Sequence, residues 1–378
     1  MSSKRAAFLS VVALVSLLTG CARTTPAGSA RAAPDAGGTQ SEWAHVVEAA
    51  KREGQVSVLG QTGEPVAEAL ASAFERAYPD IRVDFNGMIG AQMVTKVLTE
   101  RAAGLYSVDV VVHGTTSVIN GLLPEAAIDP ILPALVGPDN DPSKWRGGAY
   151  EFADEEGKYA LLFLGGLKIP LVYNPTLVRA DEITSYRDLL DPKWKGKIAM
   201  LDPRVAGAGL ASSIFLYSTP ELGKDYLAAL FRQDIVITKD DRQLTDWIAR
   251  GQYPIGLASN DFTALDMKAR GLPIESLPAE AVKEGTYVTG AWGSVALLNR
   301  APHPNAARVY LNWLLSKEGQ EGVAQASGYP SRRLDTSNAG LREGVIPRPS
   351  VEYRDLSKER YIQQQEEVVR YMRALIPD

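Results

Sequence analysis

The sequence predicts an α/β protein with two lobes, each a mixed, mostly parallel sheet flanked by helices, and a ligand cleft between the lobes. Two observations lead to this prediction. Strand and helix patterns alternate as β-α-β-α-β between Gln55 and Val112, which is typical of a parallel sheet with right-handed crossovers. A similar alternation runs over 161–259, after a proline-rich interval at 123–142. A chain of 378 residues is long enough for two such units.

The first unit carries a distinct signal for each element. Pro65 suits the first turn of a helix over 65–78, whose apolar residues recur at helical spacing. The run from Val108 to Val112 is almost wholly apolar, as expected for a strand that has helices on both faces. The same patterns predict a helix over 41–52 with Ser41 as its N-cap, strands over 55–60 and 81–85, and a helix over 90–103.

The second unit repeats the pattern with shorter elements. Strands are predicted over 161–164, 170–173, 197–201, 235–238 and 255–259, and helices over 186–190, 209–217, 221–231 and 243–250. A return segment over 287–298 leads into a helix over 304–315, and a partly helical tail over 358–375 is expected to pack across the lobes. We expect lobe 1 to comprise 41–118 and 263–315, and lobe 2 to comprise 119–262 and 316–378.

The N-terminal segment predicts export. Lys4 and Arg5 precede an apolar run from Ala6 to Leu18, which is typical of a secretory signal and short for a permanent membrane helix. The run ends in Leu18-Thr19-Gly20-Cys21, which resembles the bacterial lipoprotein box and implies a signal peptide over 1–20 and lipidation of Cys21. The alternative is an ordinary signal peptide with an incidental cysteine. Residues 21–40 are rich in Ala, Gly, Thr and Pro and predict a flexible tether, so the protein is expected to be anchored at the periplasmic or extracellular face of the cell membrane.

Composition and motifs argue against two other classes of protein. The formal net charge is −5 and no stripe of Lys and Arg is present, which argues against nucleic-acid binding. His45, His113 and His303 are scattered, Cys21 is the only cysteine, and neither H-E-x-x-H nor G-x-S-x-G occurs. We therefore expect a protein that is not an enzyme and that needs no cofactor.

Several segments together resemble one family. In this order, behind the lipoprotein box, they are similar to the solute-binding proteins of ABC importers with the type II periplasmic-binding-protein fold, close to the ferric-ion-binding group. The resemblance covers roughly 46–333 and implies a two-lobed clamp for a small solute. It rests on the segments Gly60-Gln61-Thr62-Gly63-Glu64-Pro65, Ala73-Phe74-Glu75-Arg76-Ala77-Tyr78-Pro79, Val108-Asp109-Val110-Val111-Val112, Tyr186-Arg187-Asp188-Leu189-Leu190-Asp191-Pro192-Lys193-Trp194-Lys195-Gly196-Lys197-Ile198 and Ala301-Pro302-His303-Pro304-Asn305-Ala306-Ala307.

The iron ligands of that group do not carry over to this chain. The positions that match its adjacent tyrosines are occupied by Asp261 and Phe262, and the other two ligand positions fall near Thr62 and Gly114. Ferric iron prefers hard anionic oxygen donors, and only Asp261 remains among these positions. We therefore predict no protein metal site, while iron held within a bound chelate stays open.

Four loops are expected to meet at the cleft, and they carry most of the candidate ligand contacts. Glycines, hydroxyls and helix N-termini offer N–H and O–H donors, and Arg204 or Arg242 offers a guanidinium fork. Plain alternatives exist, namely N-capping by Thr62, surface ion pairs for the arginines and hinge packing for Trp292. The candidates are Thr62 and Gly63; Gly90; His113, Thr115 and Thr116; Arg204, Gly207 and Ala208; and, beyond the four loops, Arg242, Asn260, Asp261 and Trp292.

The sequence thus predicts a monomeric substrate-binding lipoprotein of an ABC importer, which captures a small polar, anionic solute and delivers it to a membrane permease. Two alternatives remain at this stage. One is a binding protein for ferric iron or an iron chelate, and the other is a sensor lipoprotein that presents its ligand to a receptor.

Overall fold

The fold was analysed in a computed structural model, which describes residues 36–259, 261–348 and 350–376. The predicted signal peptide, Cys21 and most of the predicted tether lie outside these residues. The first helix begins at Ala36, five residues before the predicted N-cap Ser41, so the tether prediction is wrong for 36–40. Val46 and Ala50 anchor this helix in the core, and extending an anchored helix by further turns costs little compared with nucleating one.

The regular elements follow the predicted order closely. The strands are β1 (Gln55–Gly60), β2 (Arg82–Gly87), β3 (Val110–His113), β4 (Ile128–Asp129), β5 (Glu151–Phe152), β6 (Leu161–Leu162), β7 (Gly166–Leu167), β8 (Leu171–Tyr173), β9 (Ile198–Leu201), β10 (Val236–Thr238), β11 (Ile255–Leu257), β12 (Glu275–Ser276), β13 (Tyr287–Thr289), β14 (Ser294–Leu298) and β15 (Arg354–Asp355). The helices are α1 (Ala36–Glu53), α2 (Glu64–Ala67), α3 (Ala73–Ala77), α4 (Gly90–Ala102), α5 (Thr115–Ser117), α6 (Ala208–Ser218), α7 (Gly223–Phe231), α8 (Asp241–Ala249), α9 (Asp261–Ala269), α10 (Pro304–Leu314), α11 (Lys317–Ser327), α12 (Glu359–Gln363) and α13 (Gln365–Leu375).

Three sheets organise these strands. The first has the order β2-β1-β3-β14-β6-β5 with β4 paired to β14, the second has the order β10-β9-β11-β8-β12, and the third has the order β15-β13-β7. Pairing is parallel among β1, β2 and β3 and among β9, β10 and β11, while β14 and β8 run antiparallel to their neighbours. Both large sheets are therefore mixed, as the sequence predicted, but they are not mostly parallel. Antiparallel pairings outnumber parallel ones in the first sheet and equal them in the second.

Separate cores form around the two large sheets. Phe74, Tyr310 and Trp313 pack together beside the first sheet, and the buried hydroxyl of Tyr310 donates to the carbonyl of Leu70 at 2.8 Å. Beside the second sheet, Met200, Tyr226 and Leu230 belong to another buried cluster. Because each sheet has its own buried apolar core, the chain forms two lobes.

The pairing of short strands differs from the predicted lobe boundaries. β4, β5 and β6 lie within the predicted lobe 2 segment 119–262, yet they pair into the first sheet. β12 lies within the predicted lobe 1 segment 263–315, yet it pairs with β8 of the second sheet. Two-residue strands carry too little periodicity to show which sheet they join. We now propose a division in which the chain leaves lobe 1 after β6 and returns to it before β14. In this division α11 also belongs to lobe 1, although 316–378 was predicted in lobe 2, because α11 packs on α2, α3 and α10 and buries Val323 in the lobe 1 core.

The third sheet and the C-terminal helices connect the lobes. β7 and β13 lie where the chain passes from one large sheet to the other, and β15 adds a third strand beside β13. Arg332 is almost completely buried and joins this sheet to lobe 1, because its guanidinium pairs with Glu151 of β5 and with Asp355 of β15.

The C-terminal helices also touch both cores. Ile362 of α12 is buried in a cluster of the first sheet, whereas Val368 and Met372 of α13 are buried beside α6 in lobe 2. The tail therefore packs across the lobes, as its helical spacing led us to expect. Within the described ranges of the chain, no helix is both long and apolar enough to cross a lipid bilayer.

Candidate functional site

In lobe 1 the register of the sheet brings three of the predicted loops to one edge. Gly60 at the end of β1 pairs with Gly87 of β2 and Val112 of β3, and His113 pairs with Ser294 at the start of β14. The loop after β1 contacts the loop after β2 so closely that a Cβ at Gly87 would lie 3.2 Å from the Cα of Thr62. Thr62 and Gly63 are exposed at this edge.

His113 holds two of these loops together. Its ring is buried, its Nδ1 accepts the backbone N–H of Gly114 at 2.8 Å, and its Nε2 lies 3.2 Å from the carbonyl of Met88. Nδ1 must be unprotonated to accept, so Nε2 carries the proton and the ring is neutral. Burial lowers the pKa of His113 below its usual 6.5. Both ring nitrogens are used within the protein, which argues against the predicted direct contact of His113 with a solute.

Gly90 acts through packing. A Cβ at this position would lie 1.9 Å from Oγ of Ser117 and 3.1 Å from the ring of His113, so only glycine lets the start of α4 lie against α5. Thr115 is buried beside it, and the exposed Thr116 accepts a hydrogen bond from Gln365 at 3.3 Å. The first turn of α5 therefore lies next to the start of α13.

The equivalent edge of lobe 2 gathers the other loops. Leu201 pairs with Thr238 and Met200 pairs with Leu257, so the loops that follow β9, β10 and β11 share one edge of the sheet. Ala258, directly after β11, has a left-handed φ of 62°, a strained conformation for a residue with a side chain. The next residue, Ser259, is buried and donates to Asp241 at the start of α8 at 3.4 Å.

Arg204 is engaged within its own loop. Its Nε and Nη2 lie 2.9 and 3.0 Å from the two carboxylate oxygens of Asp202, and its Nη1 donates to the carbonyl of Ile376 at 3.2 Å. The guanidinium holds the pKa of Asp202 below its ordinary value despite burial, which acts in the opposite direction. The predicted guanidinium fork for a ligand is therefore directed at Asp202, and Arg204 fixes the shape of the loop.

A shallow cavity of about 410 Å³ lies between the loops after β9 and β10. It is lined by Asp202, Arg204, Lys239, Asp240 and neighbouring side chains, so both signs of charge face it. Lys239 and Arg242 are exposed beside these loops. The backbone N–H of Arg242 is bound by the N-cap Asp240 at 2.8 Å.

Three helices at the two edges start directly after a glycine. α2, α5 and α6 follow Gly63, Gly114 and Gly207, and no side chain of the described protein caps their first turns. The φ values of Gly63 and Gly207 are 127° and 144°, which favour glycine. N-capping by Thr62, the alternative to a ligand contact, is therefore not observed, because Gly63 is the N-cap of α2. Side chains of Asp240 and Ser316 cap α8 and α11, whereas α4, α7, α10 and α12 also start without a side-chain cap. What distinguishes α2, α5 and α6 is the glycine before them and their place at the carboxyl edges of the sheets.

Backbone N–H groups are therefore available at the predicted loops. The first turn of a helix has N–H groups without intrahelical partners, and the helix dipole adds partial positive charge there. α6 continues from Ala208 for eleven residues, so its dipole is well developed. Any residue with a side chain would clash at position 209, since a Cβ on Gly209 would lie 2.4 Å from the carbonyl oxygen of Leu201. An anionic group is the natural partner of such termini.

The remaining candidates divide into packing residues and residues that are only partly described. Trp292 is half-buried, and its ring lies 6.2 Å from that of Phe163 in the lobe 1 core, which supports the packing alternative. Ala291 beside it has a φ of 49°, and its carbonyl would lie 3.4 Å from a Cβ at Gly114. Asp261 begins α9, whereas Asn260, like the predicted lipidation site Cys21, lies outside the described residues.

The lobes touch each other next to these loops. Phe262, in the first turn of α9, lies edge-on to the ring of Tyr329, which follows α11 in lobe 1, with ring centroids 6.2 Å apart. The guanidinium carbon of Arg342 lies 4.2 Å from the centroid of the Phe262 ring. Sequence analysis singled out no residue of this segment, because the tail beyond 333 carries no motif. In the described part of the chain, no group of three or more His, Cys, Asp and Glu side chains is placed to hold a metal ion.

The state of His113 gives a testable pH dependence. Because its pKa is lowered in the folded protein, the unfolded chain takes up the proton first, and folding stability should fall as the pH drops below about 6.5. We expect His113→Gln to remove part of that loss between pH 7 and pH 5, measured by denaturant unfolding. The exposed His45→Gln is the matched control and should behave like the unmodified protein. A His113 ring that titrates at or above 6.5 by NMR would contradict the assignment.

A sequence model of the family described as "Bacterial extracellular solute-binding protein" matches residues 60–321, which is well over half of the chain. An uncharacterized protein of Haemophilus influenzae is 33% identical over 139 residues, which are 36% of this chain and 38% of that protein. A candidate 2-aminoethylphosphonate-binding periplasmic protein of Salmonella typhimurium is 24% identical over 168 residues, 43% and 49% of the two chains. The spermidine/putrescine-binding periplasmic protein 1 of H. influenzae is 24% identical over 228 residues, which are 56% of this chain and 57% of that protein. The chain thus spans about half the length of the curated relatives that it matches.

Solved structures share the fold over most of the chain. A Trichodesmium protein (IdiA, FutA) in complex with iron and citrate has a TM-score of 0.63 and 17% identity, covering 85% of this chain and 99% of that one. An ABC transporter protein from Clostridium perfringens has a TM-score of 0.67 and 16% identity, and the match covers 85% of this chain and 99% of that one. The protein AfuA of Actinobacillus pleuropneumoniae, with fructose-6-phosphate bound, has a TM-score of 0.56 and 20% identity, and the match covers 86% of this chain and 99% of that one. The chain therefore belongs to the bacterial extracellular solute-binding proteins and has the two-lobed, type II periplasmic-binding-protein fold.

Proposed function

We propose that this protein captures a small polar, anionic solute between its two lobes and delivers it to the permease of an ABC importer. The observation that carries the proposal is the set of uncapped, glycine-led helix starts at Gly63, Gly114 and Gly207. They lie at the carboxyl edges of both sheets, and N–H groups at such termini bind carboxylate, phosphate or phosphonate oxygens.

Binding by both lobes provides the closing mechanism. Each lobe alone can make only part of the solute's hydrogen bonds, so the solute favours the closed state by its differential affinity. A hydrogen bond to a charged group contributes about 1.5–3 kcal/mol, so two or three of them across the cleft shift the equilibrium decisively. The contact of Phe262 with Tyr329 brings the loop after β11 up to lobe 1.

The named ligands of similar proteins support an anion. The names of a relative and two structural neighbours include 2-aminoethylphosphonate, fructose-6-phosphate and citrate with iron, all of which carry anionic oxygens. Ferric iron alone would lack ligands in the described residues, whereas a ferric citrate complex could use the citrate oxygens. The polyamine named for another relative is a cation and would be repelled by the helix starts.

The wider role follows from the same proposal. Lipidation at Cys21 would hold a monomer on the outer face of a membrane, where it can meet a permease. The protein binds and releases its solute without chemistry, so we propose no enzymatic activity and no cofactor. A sensor that presents the same solute to a receptor would need the same clamp.

A ligand panel tests the charge of the solute. Purified protein is titrated with inorganic phosphate, citrate, 2-aminoethylphosphonate, fructose-6-phosphate, ferric citrate and spermidine, and native mass spectrometry identifies any molecule that copurifies. We expect at least one anion to raise the melting temperature and to bind with a measurable dissociation constant, because binding to the folded state stabilises it. Stabilisation by spermidine alone would overturn the proposal.

A substitution at Gly114 tests the helix starts directly. Gly114 has a φ of −62°, so other residues are tolerated, and a Cβ there would meet only the carbonyl of Ala291 at 3.4 Å. In Gly114→Asp the new carboxylate would cap α5 and repel an anion, so affinity for the best anion of the panel should fall about tenfold or more. Gly114→Asn adds a neutral cap of the same size, so its affinity for the same anion should fall clearly less. Equal losses in both variants would contradict an electrostatic role.

A further inference from the structure

Arg342 lies in the segment that leads away from lobe 1 after α11. This segment first runs along α11, where Gln325 donates to the carbonyl of Ala339 at 2.6 Å. It then reaches lobe 2, where Arg348 pairs with Glu280. Arg342 lies between these two contacts and stacks on Phe262, whose ring projects from the start of α9.

The guanidinium of Arg342 has an uncommon environment. It is partly buried, its Nη2 is inaccessible to solvent, and that nitrogen has no hydrogen-bond partner. Arg342 also forms no side-chain ion pair with a described residue, whereas Arg332, Arg333 and Arg348 are paired. Arg354 and Arg360 likewise lie over aromatic rings without an ion pair, but of these three arginines only Arg342 has a buried nitrogen without a hydrogen-bond partner. A guanidinium that is partly desolvated without an anionic partner is costly, and stacking on a ring recovers only part of that cost.

The location joins two of the candidate loops. α11 packs along the helical stretch 64–77, and its first turn lies beside the end of α3, where Glu318 and Tyr78 line one groove. The helices are therefore antiparallel, and the end of α11 lies beside α2. There Gly328 and Tyr329 contact Phe262, which follows the loop after β11. Arg342 thus lies where the end of α11, which packs on α2, meets the start of α9.

We propose that Arg342 is a ligand-binding residue that donates its guanidinium to an oxyanion of the solute, a carboxylate, phosphate or phosphonate group. This inference rests on the proposed function and specifies it further. The Phe262 ring holds the planar guanidinium in place, so that its fork is preorganised for two parallel hydrogen bonds. Since Arg342 comes from the segment after lobe 1 and Phe262 from lobe 2, the cation is positioned only when the lobes approach each other. Arg342 therefore supplies the cationic fork that the sequence had assigned to Arg204.

The test compares three variants with the unmodified protein. The probe is the anion of the panel that binds most tightly, and its uncharged analogue is measured beside it by calorimetry. Arg342→Met keeps the apolar stem without the charge and should weaken anion binding at least tenfold, while binding of the uncharged analogue stays within about twofold. Arg342→Lys keeps the charge without the fork, so its affinity for the anion should fall by an intermediate amount. Arg348→Met, an exposed arginine of the same segment, is the matched control and should bind like the unmodified protein.

Each outcome separates this inference from the proposed function. If the unmodified protein binds an anion and Arg342→Met binds it within twofold, Arg342 is not a ligand-binding residue while the proposed function stands. If Arg342→Met weakens binding of the anion and of its uncharged analogue equally, the arginine serves only as a contact between the lobes. That result also overturns the inference. If no anion of the panel binds the unmodified protein, the proposed function fails together with it.

Discussion

Parallel strand pairing is the constraint on which the candidate site depends. Because β1, β2 and β3 run in the same direction, the loops that follow them emerge at one edge, and β9, β10 and β11 do the same in lobe 2. Each edge then leads into helices whose N–H groups and dipoles point toward the loops. A binding surface of backbone donors thus follows from the topology before any particular side chain is considered.

Glycine and strained backbone shape that surface. Gly90 and Gly209 allow helix starts to lie against neighbouring side chains or strand ends, and a methyl group at either position would overlap its neighbours. Ala258 and Ala291 hold left-handed conformations in the loops beside the second and first sheets. Non-glycine residues adopt such conformations only where the surrounding structure enforces them, and functional loops are a common place for them. Several strained positions are therefore consistent with loops selected for a ligand.

Much of the fold could be predicted from the sequence, because the long elements repeat at the spacing of a helix or a strand. The almost wholly apolar run at Val108–Val112 and the helix over 304–315 correspond to β3 and α10, with shifts of one or two residues. Two-residue strands such as β5 and β12 have no periodicity, and their sheets depend on contacts distant in sequence. α9 and α11 were missed for other reasons: α9 is short and has a weak apolar stripe, and α11 is largely polar and contains two glycines.

The site was harder to predict than the fold. Sequence reasoning located the candidate loops at the sheet edges, because strand ends can be located from apolar runs. It could not determine which donors are already used, and Arg204 is bound by Asp202 two residues away while His113 is bound by Met88 and Gly114. Arg342 had no sequence signal, since the role that we propose for it depends on stacking on Phe262, eighty residues earlier in the chain.

Closure of the two lobes around the solute is the central claim of this account. Small-angle X-ray scattering of the purified protein, with and without a saturating concentration of the tightest anion, measures that closure directly. The account predicts a smaller radius of gyration with the anion present. An identical scattering curve under saturating binding would show that the solute does not draw the lobes together and would contradict the proposed mechanism.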